Sequence, residues 1–142
     1  MATVDVPADL LASLKQFRLA KQTSLSASQP ASAFVVSIDK TKLVLQEEER
    51  HEPISLEDLV EELPENAPRF IVLSYRLEHA DGRLSFPLVL LYWAPPTSHT
   101  TLSTLYASAL SNFSTACDVG KVIDIRDGSD LTDKFLKSKL GA

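Results

Sequence analysis

The sequence predicts an α/β fold of the α+β type, a mixed β-sheet sandwiched by α-helices. Three observations predict it. Helical and strand-like segments come in alternating groups, so helices separate the strand groups along the chain. The segment RFIVLSYRL (69–77) is apolar on both alternating faces: Phe70 and Val72 on one, Ile71, Leu73 and Tyr75 on the other. A strand reads that way when both faces are covered. Finally, 142 residues suit one domain with one core, residues 1–142.

Each element has its own justification. DVPADLLASLKQFRLAK (5–21) reads as a helix with Pro7 in the first turn, where a missing N–H costs nothing, and Asp5 and Asp9 at the positive end of the dipole. Leu10, Leu14 and Phe17 repeat at helical spacing and should face the core, while Lys15, Arg18 and Lys21 form a basic side. A polar connector (23–32) follows. AFVVSID and KLVLQEEE then read as a hairpin turning at Asp39, Lys40 and Thr41. Ser55 and Asp58 fit a capping box for a short helix, 56–62; Pro64 helps to end it and Pro68 sets the chain extended. The strand 69–77 pairs with LSFPLVLLYW (84–93) across a charged tip, His79 to Arg83, with Asp81-Gly82 as a favourable turn pair. Pro87 cannot donate to a ladder, which predicts a bulge or an unpaired position. The longest helix is 97–116, with Leu102, Leu105, Tyr106, Ala109 and Phe113 inward. KVIDIRD (121–127) is a further strand. A capped helix, 129–140, puts Leu131, Phe135 and Leu140 inward and ends at Gly141.

Charge and composition narrow the function. The net charge is −5, and residues 47–66 alone hold nine acids and one Arg, a balance of −8 that leaves +3 elsewhere. An acidic chain of pI about 5.1 argues against nucleic acid as the main partner. No apolar run has the length of a membrane span, and no signal peptide is expected. His51, His79 and His99 fall in predicted loops or at helix ends, without a second His or a Cys at metal-ligand spacing. Cys117 is the only cysteine and has no nearby His, so an inert thiol is expected rather than a nucleophile. There is no Gly-rich phosphate loop. No enzyme, metal or cofactor is expected.

The long helix carries the most information. Residues 97–116 contain no Asp, Glu, Lys or Arg. At 23% charged residues, twenty such positions arise by chance less than about one time in a hundred, and helices normally charge their solvent side. Ten of the twenty are Ser or Thr, too many to be satisfied in a core. The face of Thr101, Thr104, Ser108, Ser111 and Thr115 is therefore expected to be exposed, uncharged and small-sided. Such a face suits insertion into a partner's groove; a Ser/Thr-rich solvated surface is the other reading.

The segment ELPENAPRFIVLSYRLEHADGRLSFPLVLLYW resembles the centre of the glia maturation factor family, above all in its Pro-Arg-Phe-Ile-Val and Asp-Gly-Arg runs. LKQFRLAKQT, IDKTKLVLQEEE, LYASAL and IRDGSDLTDKFLKSKLG resemble further segments of that family, so the resemblance covers nearly the whole chain. It implies the actin-depolymerising-factor homology (ADF-H, gelsolin-like) fold, with five to six strands in the central mixed sheet. It also implies a non-enzymatic, monomeric regulator of branched actin networks that binds the actin-related protein 2/3 complex, promotes debranching and inhibits nucleation. The implied location is the cytoplasm, at the actin cortex or actin patches, with the nucleus left open; no membrane or nucleic-acid partner is implied.

The family resemblance implies two surfaces. The first comprises the N-terminal segment, Arg18, Lys21, Leu105, Tyr106, Ser108, Ser111, Asn112, Lys134 and Lys137, docking on an actin-related subunit. The second is the tip, His79, Asp81, Gly82 and Arg83, reaching the first actin of the daughter filament. On the residues alone, Asp81-Gly82 simply closes a turn and Arg83 is solvated. Relatives carry lysines just after the Tyr-Ala motif, where this chain has Ala109, Leu110, Ser111 and Asn112. That departure weighs against the alternative of a cofilin-like actin-binding and depolymerising protein.

Overall fold

β1 (Ala31–Asp39) is buried along nearly its whole length because it has a strand on either side and helices above and below. In the computed structural model, which describes residues 4–19, 29–39, 41–98, 100–117, 119 and 121–140, the sheet order is β2-β1-β3-β6-β7. The side chains of Arg18, Leu19 and Cys117 lie outside that description. So do Lys21, Lys40, His99, Gly141 and most of the 23–32 connector. The remaining strands are β2 (Val44–Ile54), β3 (Arg69–Tyr75), β4 (Leu77–Glu78), β5 (Leu84–Ser85), β6 (Leu88–Trp93) and β7 (Val122–Ile125). The helices are α1 (Ala8–Leu19), α2 (Leu56–Glu62), α3 (Thr100–Cys117) and α4 (Asp133–Leu140). All pairings are antiparallel except β6 with β7, which are parallel, and α3 is the crossover between them.

Alternation along the strands divides the core in two. Phe34, Val36, Phe70, Val72, Leu90 and Tyr92 face α1 and α3, where they meet Leu10, Leu14, Phe17, Tyr106, Ala109 and Phe113. Val35, Ile71, Leu73, Tyr75, Leu91 and Trp93 face α2 and α4, where they meet Leu56, Leu59 and Leu136. The two faces expected of β3 are therefore the two faces observed. At the loop after β7, Gly128 lies so close to α2 that a Cβ there would fall 2.5 Å from Val60 Cγ1. Only a glycine fits without displacing Val60.

Several boundaries differ from the sequence expectation. α1 starts at Ala8 rather than Asp5, because the Asp5 N–H donates to Leu43 O (2.9 Å) and its carbonyl accepts from Leu45 N (2.9 Å). The chain before the helix is thus held against β2. β1 begins at Ala31, two residues inside the expected connector. β2 runs on to Ile54, so His51 lies in a strand and not in a loop. An edge strand tolerates Pro53 and the acidic run there because one side faces solvent. α3 starts at Thr100 rather than Thr97, after a turn in which Ser98 N donates to Pro95 O (3.0 Å). β7 is shorter than expected by a residue at its start and two at its end.

The expected terminal helix is broken in two. A 3₁₀ turn (Gly128–Asp130) is capped by Asp127 Oδ1, and α4 starts afresh with Thr132 Oγ1 accepting from Phe135 N (3.1 Å). Leu136, not among the expected inward residues, is fully buried, whereas Phe135 and Leu140 are half-buried. The capping box of α2 holds as read: Asp58 N donates to Ser55 Oγ at 3.1 Å.

Candidate functional site

α3 is pinned to the sheet by aromatic residues. The Phe70 ring lies 5.4 Å from both Tyr106 and Phe113 and 5.7 Å from Tyr92, centroid to centroid. Such pairs add to the energy of simple burial. Tyr106 is 2% exposed, and its hydroxyl accepts from Ile38 N at 2.9 Å. The β1–β3 register puts Pro68 opposite Ile38, just before β3 begins, so no strand partner is available there. The tyrosine hydroxyl satisfies that N–H instead. Burial pushes the Tyr106 hydroxyl above the ordinary tyrosine range.

Tyr106 is thus withdrawn from the first expected surface: a side chain spent on β1 and the core cannot touch a partner. It stands in the inward stripe with Ala109 and Phe113, spaced three and seven residues on, and that spacing was the signal for burial.

Turned the other way, α3 presents a neutral ledge. Thr101, Thr104, Ser108, Ser111, Asn112 and Thr115 are exposed, and Leu105 is half-buried at its margin. Two hydroxyls fold back on the helix itself: Ser108 Oγ donates to Leu105 O (2.7 Å) and Thr115 Oγ1 donates to Ser111 O (3.0 Å). Hydroxyl protons already bonded within the helix lose little when water is removed, so this face can be covered without burying a charge and without stranding the Ser108 and Thr115 donors. Asn112 Nδ2 donates to Val4 O (3.4 Å), which brings the N-terminal segment alongside the ledge. Sequence reasoning had no signal for that contact. A cavity of about 510 Å³ lies by the first turns of α3, lined by Tyr92, Ala94, Pro96, Ser103, Thr104 and Arg126 among others.

The basic residues expected on this surface are not all brought to it. Lys134 and Lys137 are exposed on α4, but α4 packs on the opposite side of the sheet through Leu136. They are separated from the ledge by the sheet itself. Arg18 sits on α1, in the same layer as α3, with its side chain outside the described residues; Lys21 lies outside them altogether.

The second expected surface is a separate two-stranded ribbon, β4 with β5. Its pairing continues the β3–β6 register unshifted, with no bulge at Pro87. One bond is missing: Pro87 has no N–H to return to Tyr75, though its carbonyl still accepts from Tyr75 N (3.2 Å), while the Arg76 N–H faces the other way and donates to Pro30 O (2.6 Å). The turn is a three-residue loop rather than a two-residue one. His79 N donates to Arg83 O (2.8 Å), Gly82 N donates to His79 O (2.9 Å), and Gly82 has φ +89°. This is the geometry that asks for glycine at the last loop position.

At the tip, Arg83 Nε approaches Asp81 Oδ2 to 2.6 Å, with the Arg and Asp side chains 75% and 58% exposed. The Arg83 backbone N–H, donating to Asp81 Oδ1 (3.1 Å), holds that carboxyl below the usual range, with help from the guanidinium. His79 Nε2 lies 2.9 Å from Ser85 Oγ across the ribbon. Leu84 and Phe86 beside it are exposed apolar residues that the sequence analysis did not single out. Elsewhere, Glu49, His51 and Glu62 bring three ligand-type atoms within 4.8 Å of one another; His51 Nε2 is already engaged by Glu49 at 3.0 Å.

A sheet sandwiched by two pairs of helices, with one neutral helix face and one projecting ribbon, defines a binding module of the cofilin type. A family model described as cofilin/tropomyosin-type actin-binding protein matches residues 3–141. Glia maturation factor beta of Homo sapiens is 36% identical over 141 residues, covering 99% of this chain and 95% of that one. Glia maturation factor of Drosophila melanogaster is 30% identical over 136 residues, covering 96% and 94%. The solution structure of glia maturation factor from Caenorhabditis elegans superimposes with a TM-score of 0.79 at 34% identity, covering 98% and 96%. The chain therefore belongs to the glia maturation factor family, within the ADF-H fold, and is an actin-regulatory protein of that class.

Proposed function

We propose that this protein is a non-enzymatic regulator of branched actin networks: it binds the actin-related protein 2/3 complex, promotes debranching and inhibits branch nucleation. The observation that carries the reading is the uncharged outer face of α3, exposed yet with Ser108 and Thr115 satisfied within the helix. In this reading Leu105, Ser108, Ser111 and Asn112, with the N-terminal segment beside them, seat in the groove of an actin-related subunit. Arg18, on α1 in the same layer as α3, and Lys21 supply positive charge. Lys134 and Lys137 take no part in this anchor, since α4 packs on the opposite side of the sheet. The ribbon tip, His79 to Arg83, reaches toward the first actin subunit of the daughter filament. The protein acts as one domain and a monomer, without cofactor, in the cytoplasm at the actin cortex or actin patches.

Microscopy of branched networks with purified protein tests the reading: branch lifetime shortens with dose, and an unchanged lifetime at saturation would sink it. Co-sedimentation with bare filaments separates it from cofilin-like binding, for which the neutral Ala109–Asn112 stretch supplies no basic grip.

A further inference from the structure

The two edges of the main sheet are β2 and β7. β2 is guarded. It carries Pro53, two register shifts against β1 and a run of acids, and Asp5 already occupies part of its outer side. β7 has none of these devices: it is regular, apolar at Val122, Ile123 and Ile125, and it ends the sheet among the described residues.

Hydrogen-bond parity says which groups stay open. Leu90 N donates to Lys121 O (2.9 Å) and Ala94 N donates to Ile125 O (2.8 Å). In a parallel ladder every second residue bonds to the neighbour, so Lys121, Ile123 and Ile125 face β6. The N–H and C=O groups of Val122 and Asp124 point outward, away from the sheet. A groove of about 500 Å³ runs along that edge between β7 and α4, lined by Lys121, Val122, Ile123, Asp124, Phe135 and Lys139. Val122 is 40% exposed, and Lys139 Nζ lies 5.6 Å from the centroid of the half-buried Phe135 ring.

We propose that this edge binds an extended acidic peptide by β-strand addition. An open strand edge beside a helix offers backbone pairing for affinity and side pockets for alternate residues. Phe135 and Val122 supply the apolar walls; Lys121 and Lys139, against the single acid Asp124, set the preference for negative charge. The site lies at the β7 edge, shares no residue with the α3 ledge and is independent of the function proposed above.

A fluorescein-labelled heptapeptide of alternating valine and glutamate tests it, read by anisotropy and by amide hydrogen exchange of the whole chain. The expected result is saturable binding that slows exchange at Val122 and Asp124 about tenfold or more at saturation. N-methylation of alternate peptide amides abolishes it. Lys121→Glu with Lys139→Glu weakens binding roughly tenfold. Val122→Pro, which removes an outward N–H and leaves the β6 ladder intact, also abolishes binding; should that variant not fold, the lysine reversals serve alone. Absence of protection at millimolar peptide overturns the proposal. So does equal binding of the N-methylated or a valine–lysine peptide. A concentration-dependent dimer that protects the same two amides without peptide also overturns it, because a second copy is then the occupant.

Discussion

The outer face of α3 and the β4–β5 ribbon are both exposed, but they are exposed in opposite ways. The helix face is neutral, small-sided and backed by the Phe70, Tyr106 and Phe113 cluster. The ribbon is charged, two strands thick and belongs to no other sheet. A surface that must be buried against a partner is served by rigidity and by the absence of ions to desolvate. A surface that must disturb a neighbour is served by fixed charge held out in water, where it acts at short range and stabilises little.

That contrast can be broken from either side. The largest effect is expected from removing the backing. Phe113→Ala should cost about 3–5 kcal/mol of stability, measured by urea unfolding, because a fully buried ring leaves a cavity under the helix. Next, Ser108→Glu with Ser111→Glu should weaken binding to the actin-related protein 2/3 complex by about a hundredfold, roughly 2.7 kcal/mol, through two unpaired charges forced into the interface. Stability should barely change, since both positions are exposed. Unchanged recruitment of this variant would remove the anchor.

Tyr106→Phe should cost about 1–3 kcal/mol in unfolding by orphaning the Ile38 N–H. The same tyrosine makes stability fall with alkali. Its folded pKa lies above the unfolded value of about 10, so above that pH the unfolded chain loses a proton that the folded chain keeps, and unfolding is favoured. Tyr75, raised by burial and by donating to Asp133 Oδ1, adds to the trend. Melting temperature should drop above about pH 10, less steeply in Tyr106→Phe.

The smallest stability effect belongs to the tip. Asp81→Ala with Arg83→Ala should leave the urea midpoint of unfolding essentially unchanged, since the pair is solvent-exposed. Debranching should nevertheless slow, with affinity for the complex nearly intact; a large loss of affinity would collapse the division between anchor and tip.

Much of this was written in residue spacing. The two faces of β3, the α2 cap and the neutral side of α3 follow from alternation, a Ser55–Asp58 pair and an uncharged run of twenty, all local patterns. So does the actin-regulatory class, through runs such as Pro-Arg-Phe-Ile-Val whose resemblance is itself a matter of neighbouring residues. What no local pattern held was which face of the sheet each helix takes. Lys134 and Lys137 read as companions of α3 until α4 is seen behind the sheet. Tyr106 could be contact or core until Ile38, 68 residues away, is found to need its hydroxyl. The N-terminal segment reads as helix until Leu43 and Leu45 claim its backbone. Spacing along a chain reports the environment of one element at a time, whereas layer, partner and free edge depend on pairings between distant residues that only the assembled fold brings within bonding distance.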